Sequence, residues 1–371
     1  MKIGIVTEHY YPSLGGIQEH VHHFAAEARS RGHAVTIVTC RMDDLPEPHD
    51  EDAPARVVRI APSQPIFWNG SFGRISRGAG LAGRLRAFLI EEAFDVLHVH
   101  CPLIPVLPIL SVHCAPGRLV GTFHTNFEKG FFSRLWYASL RPYLDRLDAR
   151  VAVSRACYEA LGPRLRAEFR VIPNGVDVAR FAAGRPLPAF DDGRFNVLFV
   201  GRVEPRNGFD RLLRAFLRAR PRIPGARLLV VGGGPFLERQ RALVPAEAAA
   251  DVVFAGPIRE GRPDWYASAS VVCVPTSIAS FGVTLLEAMS AGRPLIAADI
   301  GGYREVMRHG AQGELLDPFD TSRWADALVR LYDDPQLAAA YAAEGRRSVT
   351  RYAWPRVADE VFGLYRELGA A

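Results

Sequence analysis

Lysine is almost missing from this chain: of its 45 basic residues only Lys2 and Lys129 are lysines, and arginine supplies the rest. We attribute the shortage to a high-GC coding bias, against which a lysine kept at 129 stands out. Cysteine is scarce too. The five cysteines, Cys40, Cys101, Cys114, Cys157 and Cys273, are odd in number and none forms C-x-x-C. That spacing speaks against a disulfide framework and paired zinc ligands, and predicts buried free thiols in a reducing cytoplasm. No apolar run is long enough to span a bilayer: "PLIPVLPILSV" is about half a span and is broken by prolines. "MKIGIVTEHY" runs straight into an apolar strand without an h-region or a small-residue cleavage site, so no signal peptide is expected.

What is present fits an ordinary soluble protein. Apolar residues make up 49% and charged residues 23% of 371, a length that suggests two domains. The net charge of +5 favours an anionic partner such as phosphate or acidic lipid. The positive charge is dispersed and no recognition motif appears, so nucleic acid is not an expected partner.

Short apolar strands alternate with amphipathic helices twice over. In the first half "KIGIVT", "AVTIVTC", "RVVRIA", "DVLHVH", "RLVGTFH", "ARVAVS" and "FRVIPNGVD" read as strands. In the second half "NVLFVG", "ARLLVVGGG", "DVVFAG", "SVVCVPT" and "PLIAAD" alternate with helices at 208–220, 236–249, around "RPDWYASA" and at 282–291. Such alternation predicts α/β architecture: two Rossmann-like, doubly wound parallel-sheet domains facing a central cleft. The Pro-, Gly-, Ala- and Asp-rich stretch 176–194 is the candidate linker. We expect domains at 1–178 and 195–353, with 354–371 a helix packing back on the first.

Several residues carry candidate chemistry. Gly15 and Gly16 open the first helix, where glycine lets backbone N–H groups approach a phosphate; a plain tight turn would read the same way. "FVGRVEPRNGFD" puts Arg202 and Arg206 past a strand end, a pairing suited to a diphosphate. "VVGGGP" does not complete G-x-G-x-x-G, since Leu237 stands where the last glycine should be, and this disfavours a dinucleotide enzyme. Glu287 lies in the apolar helix of "SFGVTLLEAMSAG", where a buried carboxylate needs partners such as a ribose diol. His124 follows a strand in "VGTFHTNFEKG" and is placed to line a cleft. His20 and His23 share a helix face, but no nearby carboxylate and histidine complete a ligand set, so no metal site is expected. "HVH" at 98–100 reads as structural.

"GGIQEHV", "FHT", "IPNGVD", "GRVEPRNG" and "SFGVTLLEAMSAG", in this order and spacing, resemble glycosyltransferase family 4 with its GT-B fold. The likeness spans essentially the whole chain. "GTFHT" with its lysine, "WNGS", "LRPY" and "DVLHVH" bring the first half nearest to the phosphatidylinositol mannosyltransferases. The resemblance implies a retaining transfer of a sugar, mannose favoured, from GDP-mannose or a UDP-sugar, with no prosthetic group and no required metal. It implies donor contacts at Gly16, Arg202, Arg206, Gly282, Val283 and Glu287. Acceptor contacts would be Gln18, Asn69, Arg74, His124 and Lys129, and the catalytic set His124, Arg202 and Arg206. Three positions depart from the pattern. Asn207 stands where the family often has lysine, Ala279 where it has the first acid of E-x7-E, and His9 where it has tyrosine.

The aromatic and basic segment "KGFFSRLWYASLRPYLDRLDAR" suits either a helix packed against its own domain or the interface of an anionic membrane, and the lipid acceptor that the resemblance implies favours the membrane. A cytoplasmic enzyme, peripheral on the inner face of the plasma membrane and acting on a lipid headgroup, is therefore expected. A soluble inositol phosphate or sugar phosphate as acceptor, and an epimerase or non-catalytic nucleotide-sugar binder, are the competing readings. Nothing in the sequence fixes the oligomeric state.

Overall fold

A computed structural model of the chain describes residues 1–45, 53–68, 71–124 and 139–370. It divides into two compact units, Met1–Gly175 with Trp354–Ala371, and Val176–Ala353.

The first unit holds an eight-stranded sheet built from β1 (Lys2–Val6), β2 (Ala34–Arg41), β3 (Arg56–Trp68), β4 (Ser71–Ser76), β5 (Val96–His100), β6 (Arg118–Phe123), β7 (Ala149–Ala152) and β8 (Arg170–Val171). The order is β4-β3-β2-β1-β5-β6-β7-β8, parallel throughout except for the β3–β4 hairpin. β1 and β5 are buried along nearly their whole length, which is why they read as continuous apolar runs rather than alternating ones. The hairpin was not legible in the sequence. Its β3 arm, Gln64 to Phe67, is exposed and carries no hydrophobic alternation. Cross-strand pairing holds it instead, aided by Arg74, which pairs with Asp44 and donates from Nε to Ser63 Oγ at 3.0 Å.

The helix Trp354–Glu367 belongs to this unit. Its Val357, Val361, Phe362 and Tyr365 join Phe24, Ala25 and Ala28 of the helix Gly16–Ser30 in one core, with the Phe24 and Phe362 rings 5.6 Å apart. Removing these rings from water is the main local stabilisation, of order 2 kcal/mol for each large side chain.

The second unit has a six-stranded, all-parallel sheet of β9 (Asn196–Val200), β10 (Arg227–Val231), β11 (Val252–Gly256), β12 (Val271–Val274), β13 (Leu295–Ala298) and β14 (Gly313–Leu316). Its order is β11-β10-β9-β12-β13-β14. The expected long helix over 236–249 is shorter. It runs Leu237–Arg241, and a separate 3-10 turn, Ala246–Asp251, follows Pro245, which lacks the N–H a continuing helix needs. Residues 176–194 are not a bare linker. Asp177 caps the helix Val178–Ala182, Arg185 N donates to Asp264 Oδ1 at 2.9 Å, and Leu187 N donates to Ser268 Oγ at 2.8 Å.

Among the described residues no helix is long and apolar enough to cross a membrane.

Candidate active site

Open parallel sheets bind ligands beyond the carboxyl ends of their strands, where the strand order reverses. That point lies between β9 and β12 in the second unit and between β1 and β5 in the first.

The loop leaving β9 is fixed by its neighbour. Gly201 N donates to Val231 O at 3.0 Å and Val203 N to Gly233 O at 2.9 Å. Gly232 passes so close that a Cβ there would lie 1.8 Å from the Gly201 carbonyl oxygen, and its φ of 147° disfavours any other residue. This clamp presents Arg202 and Arg206 on either side of Glu204. The Glu204 carboxylate has no exposure and lies 3.4 Å from Arg202 Nη1 and 3.8 Å from Arg206 Nε. Sequence reasoning passed over Glu204, although it sits inside the quoted "GRVEPRNG". Asn207, where a lysine was expected, closes the loop by donating from Nδ2 to Arg202 O at 2.7 Å. The Arg206 carbonyl accepts from Ser277 N at 2.9 Å, which ties the β9 loop to the β12 loop. Burial, with Arg202 adding repulsion, lowers the pKa of Arg206. An anion at this strand end would relieve that repulsion.

The β12 loop leads into the helix Val283–Ser290, with Gly282 as its N-cap. Gly282 and Val283 thus stand where backbone N–H groups point out of a helix start. Glu287 is buried one turn further on. Its Oε2 accepts from the Tyr266 hydroxyl at 2.6 Å, and Arg262 Nη2 lies 2.9 Å from Oε1. The carboxylate that the sequence reserved for a ribose therefore also anchors the helix Arg262–Ala267. Ala279 abuts the helix Gly301–Arg304: a Cβ at Gly302 would come within 2.5 Å of the Ala279 carbonyl oxygen.

In the first unit, Gly16 begins the helix that follows β1 and Gln18 is buried in its first turn, donating from Nε2 to Ser13 Oγ at 2.7 Å. Arg74 lies on β4 with its guanidinium already engaged by Asp44 and Ser63. Asn69 and Lys129 lie outside the described residues, as does the segment 125–138 of the expected membrane surface. Glu8, at the end of β1, was not singled out by the sequence. It accepts from Ser76 Oγ at 2.7 Å, Ser76 N at 3.1 Å and Leu107 N at 3.2 Å, and burial raises its pKa.

His124 directly follows β6, beside a group of histidines. His98 and His100, two residues apart on β5, point to one face. His98 is held at both nitrogens, 2.6 Å from the Tyr365 hydroxyl and 2.6 Å from Thr122 Oγ1. His100 Nδ1 is 2.8 Å from His124 Nε2. Burial lowers His98 to about 3 and His20 to about 4, and pushes His100 and His124 well down as well, so all four rings are neutral near pH 7. One nitrogen each from His20, His100 and His124 lies within 4.8 Å of the others. The structure thus brings His100 and His124 to His20, two histidines that sequence spacing did not place there. The partners come from β5 and from the end of β6, far away in sequence, and only the parallel pairing of those strands brings them to the helix after β1.

Two parallel α/β units, each with a topological switch point at its strand ends, have the GT-B architecture. Residues 14–180 match the family described as Glycosyltransferase Family 4, and residues 194–334 match Glycosyl transferases group 1. Phosphatidyl-myo-inositol mannosyltransferase of Mycolicibacterium smegmatis is 35% identical, covering 100% of this chain and 95% of its own. D-inositol 3-phosphate glycosyltransferase of Acidothermus cellulolyticus is 31% identical over 99% of this chain and 90% of its own. Among solved structures, sucrose-phosphate synthase of Thermosynechococcus elongatus superposes with a TM-score of 0.78 at 23% identity, covering 100% of this chain and 99% of that one. The chain belongs to glycosyltransferase family 4, and it is a glycosyltransferase.

Proposed function

We propose that this enzyme moves a hexose, mannose in the favoured case, from a nucleotide sugar to the inositol headgroup of phosphatidylinositol, with retention at the anomeric carbon. The observation that carries the reading is the Arg202–Glu204–Arg206 arrangement at the end of β9. Two guanidiniums held at a strand end can take the negative charge that develops on a departing diphosphate, which is the largest electrostatic demand of the reaction. Glu204 sits between them as a buried counter-charge, 3.4 Å from Arg202 and 3.8 Å from Arg206.

In this reading the second unit holds the donor. Arg202 and Arg206 take the diphosphate, Gly282 and Val283 offer N–H groups at a helix start, and Glu287 accepts from the ribose while Tyr266 and Arg262 hold it in place. The first unit supplies Gly16 to the donor phosphate and Gln18, Asn69, Arg74, His124 and Lys129 to the acceptor. Arg74 serves by holding the β3–β4 hairpin as well as by charge. No carboxylate is set as a nucleophile at 279. The C–O bond to the diphosphate therefore breaks through an oxocarbenium-like state, and the acceptor oxygen attacks from the same face. Its proton passes to the departing phosphate oxygen. Neutral His124 orients the sugar or the acceptor. No metal is required for the diphosphate in this scheme. The enzyme works as a peripheral protein on the cytoplasmic face of the plasma membrane.

A soluble acceptor is the second reading, favoured by the likeness to the Acidothermus D-inositol 3-phosphate glycosyltransferase. The enzyme is incubated with GDP-mannose, UDP-glucose or UDP-N-acetylglucosamine, each with phosphatidylinositol vesicles or with inositol 3-phosphate, and products are read by mass. Mannosylated lipid supports the first reading and a water-soluble product the second. Nucleotide binding without any product would overturn both.

A further inference from the structure

We infer that His100 is a positioning residue that holds His124 in the tautomer with its proton on Nδ1, so that His124 meets its ligand as a hydrogen-bond donor. The role of His124 toward a ligand rests on the glycosyl-transfer reading above; the tautomer itself does not.

The argument begins with the 2.8 Å contact between His100 Nδ1 and His124 Nε2. Both rings are neutral, so each carries one N–H, and only one of the two facing nitrogens can hold its proton. The outer nitrogen of His100 decides which. His100 is 1% exposed, and its Nε2 has no hydrogen-bond partner among the described residues. If His100 kept its proton there, a buried N–H would stand without an acceptor. A bare lone pair in the same place costs less, because unpaired buried donors are the rarer and more expensive fault. His100 therefore carries its proton on Nδ1 and donates to His124. His124 accepts at Nε2, and its own proton is on Nδ1.

The surroundings keep the pair from rearranging. His98, fixed at both ends, stacks on His100 with centroids 4.6 Å apart, and His100 stacks on His124 at 5.1 Å. His20 closes the group edge-on at 5.2 Å from His100 and 4.9 Å from His124. With its proton on Nδ1, His124 can donate to a ligand oxygen: a sugar hydroxyl or a phosphate oxygen. A nitrogen that already carries its proton cannot receive one from the acceptor hydroxyl. The proton released in transfer must go elsewhere, which agrees with its passing to the leaving phosphate.

The test is made on the full-length protein labelled with ¹⁵N-histidine. Long-range ¹H–¹⁵N spectra at neutral pH identify each tautomer, and His124→Phe assigns the His124 signals. Wild type is expected to show the His124 proton on Nδ1. His100→Asn places an amide N–H near the lost Nδ1–H and should keep that pattern, with kcat within about threefold of wild type. His100→Leu removes the donor; His124 should then populate the other tautomer, and kcat should fall about tenfold, the worth of one neutral hydrogen bond. A wild-type His124 with its proton on Nε2 overturns the proposal whatever the activity. So does an unchanged tautomer in His100→Leu. If that variant does not fold, the wild-type and His100→Asn spectra decide. If the tautomer is as stated but no donor gives product, the functional reading fails and the positioning of His124 by His100 stands.

Discussion

Arg202 Nη1 lies 3.4 Å from the carboxylate of Glu204, an acid with no exposure of its own. A buried acid beside a partly exposed arginine does two things. It offsets the repulsion between Arg202 and Arg206, and it fixes where the guanidinium can sit. Breaking such a group by removing one member costs more than the pair contributes, because a buried charge is left uncompensated. Glu204→Gln keeps the shape and removes the charge. We expect folding to survive and kcat to fall about tenfold, about 1.4 kcal/mol of lost transition-state stabilisation. Steady-state kinetics on the folded variant would measure this, and a wild-type kcat would remove Glu204 from the site.

Arg202 itself should matter more. Removing one preorganised group that stabilises developing charge typically costs about 10²–10³ in kcat. Arg202→Ala is expected to show a loss of that size, with donor KM changed much less. Arg202→Lys should recover only part of it, since an ammonium cannot reproduce two parallel N–H donors. Product release followed by mass gives the rates. Near-normal turnover by the alanine variant would refute the assignment of the leaving group to this loop.

The clamp behind that loop is testable without touching a charge. Gly232→Ala would drive a methyl to within 1.8 Å of the Gly201 carbonyl oxygen. The β9 loop must move to admit it, and geometry errors near 1 Å in a positioned group can cost about 10²-fold. We expect activity to drop by more than tenfold, in step with weaker nucleotide binding by calorimetry. Retention of both would mean that the loop tolerates displacement.

The fold was legible because the central strands of both sheets are parallel and buried, so β1, β5, β9 and β10 appear as plain apolar runs. The β3–β4 hairpin was not, because its exposed arm is held by pairing and by the Arg74–Asp44 contact rather than by an apolar face. β14 was missed for a related reason: a four-residue edge strand beginning at Gly313 has little pattern to show. The Arg202 loop was visible because its residues are contiguous. The histidine group was not, since His20, His100 and His124 meet only once β1, β5 and β6 are in register. Glu287 was identified, but its partners Arg262 and Tyr266 lie on another helix and left no signal near it.

Ala279 stands where the family resemblance implies an acid. Its carbonyl packs on Gly302, so a longer side chain at 279 must leave the backbone in place and project away from that contact. Ala279→Glu returns a charged acceptor for sugar hydroxyls, worth about 1.5–3 kcal/mol when well placed. We expect donor KM to fall about tenfold for the sugar whose hydroxyls it reaches, and kcat to change less. A panel of nucleotide sugars would identify that donor. Equal KM values across the panel, for both the variant and the parent, would show that position 279 does not face the sugar.

The buried histidines make the first unit sensitive to acid. In the folded protein burial lowers His20 to about 4, with His23 adding a smaller push, and lowers His98 to about 3. Both titrate near 6.5 when unfolded. Between these values the unfolded chain binds more protons than the folded one, so stability rises with pH across that window. Their contribution is complete above about pH 6.5 and is lost as pH falls through the folded values. Each ring can supply up to about 1.4 kcal/mol per pH unit. Glu8 acts in the opposite sense, because burial raises its pKa and its protonation favours the folded state over its own range. Urea midpoints followed by the fluorescence of Trp354, whose ring lies 5.1 Å from His20, should therefore fall as pH drops from about 7 to about 5. His20→Phe removes one of the rings and should shallow that dependence. A midpoint flat over this range in the parent protein would mean that the histidines titrate normally in the fold, and a slope unchanged in His20→Phe would clear His20 of any part in it.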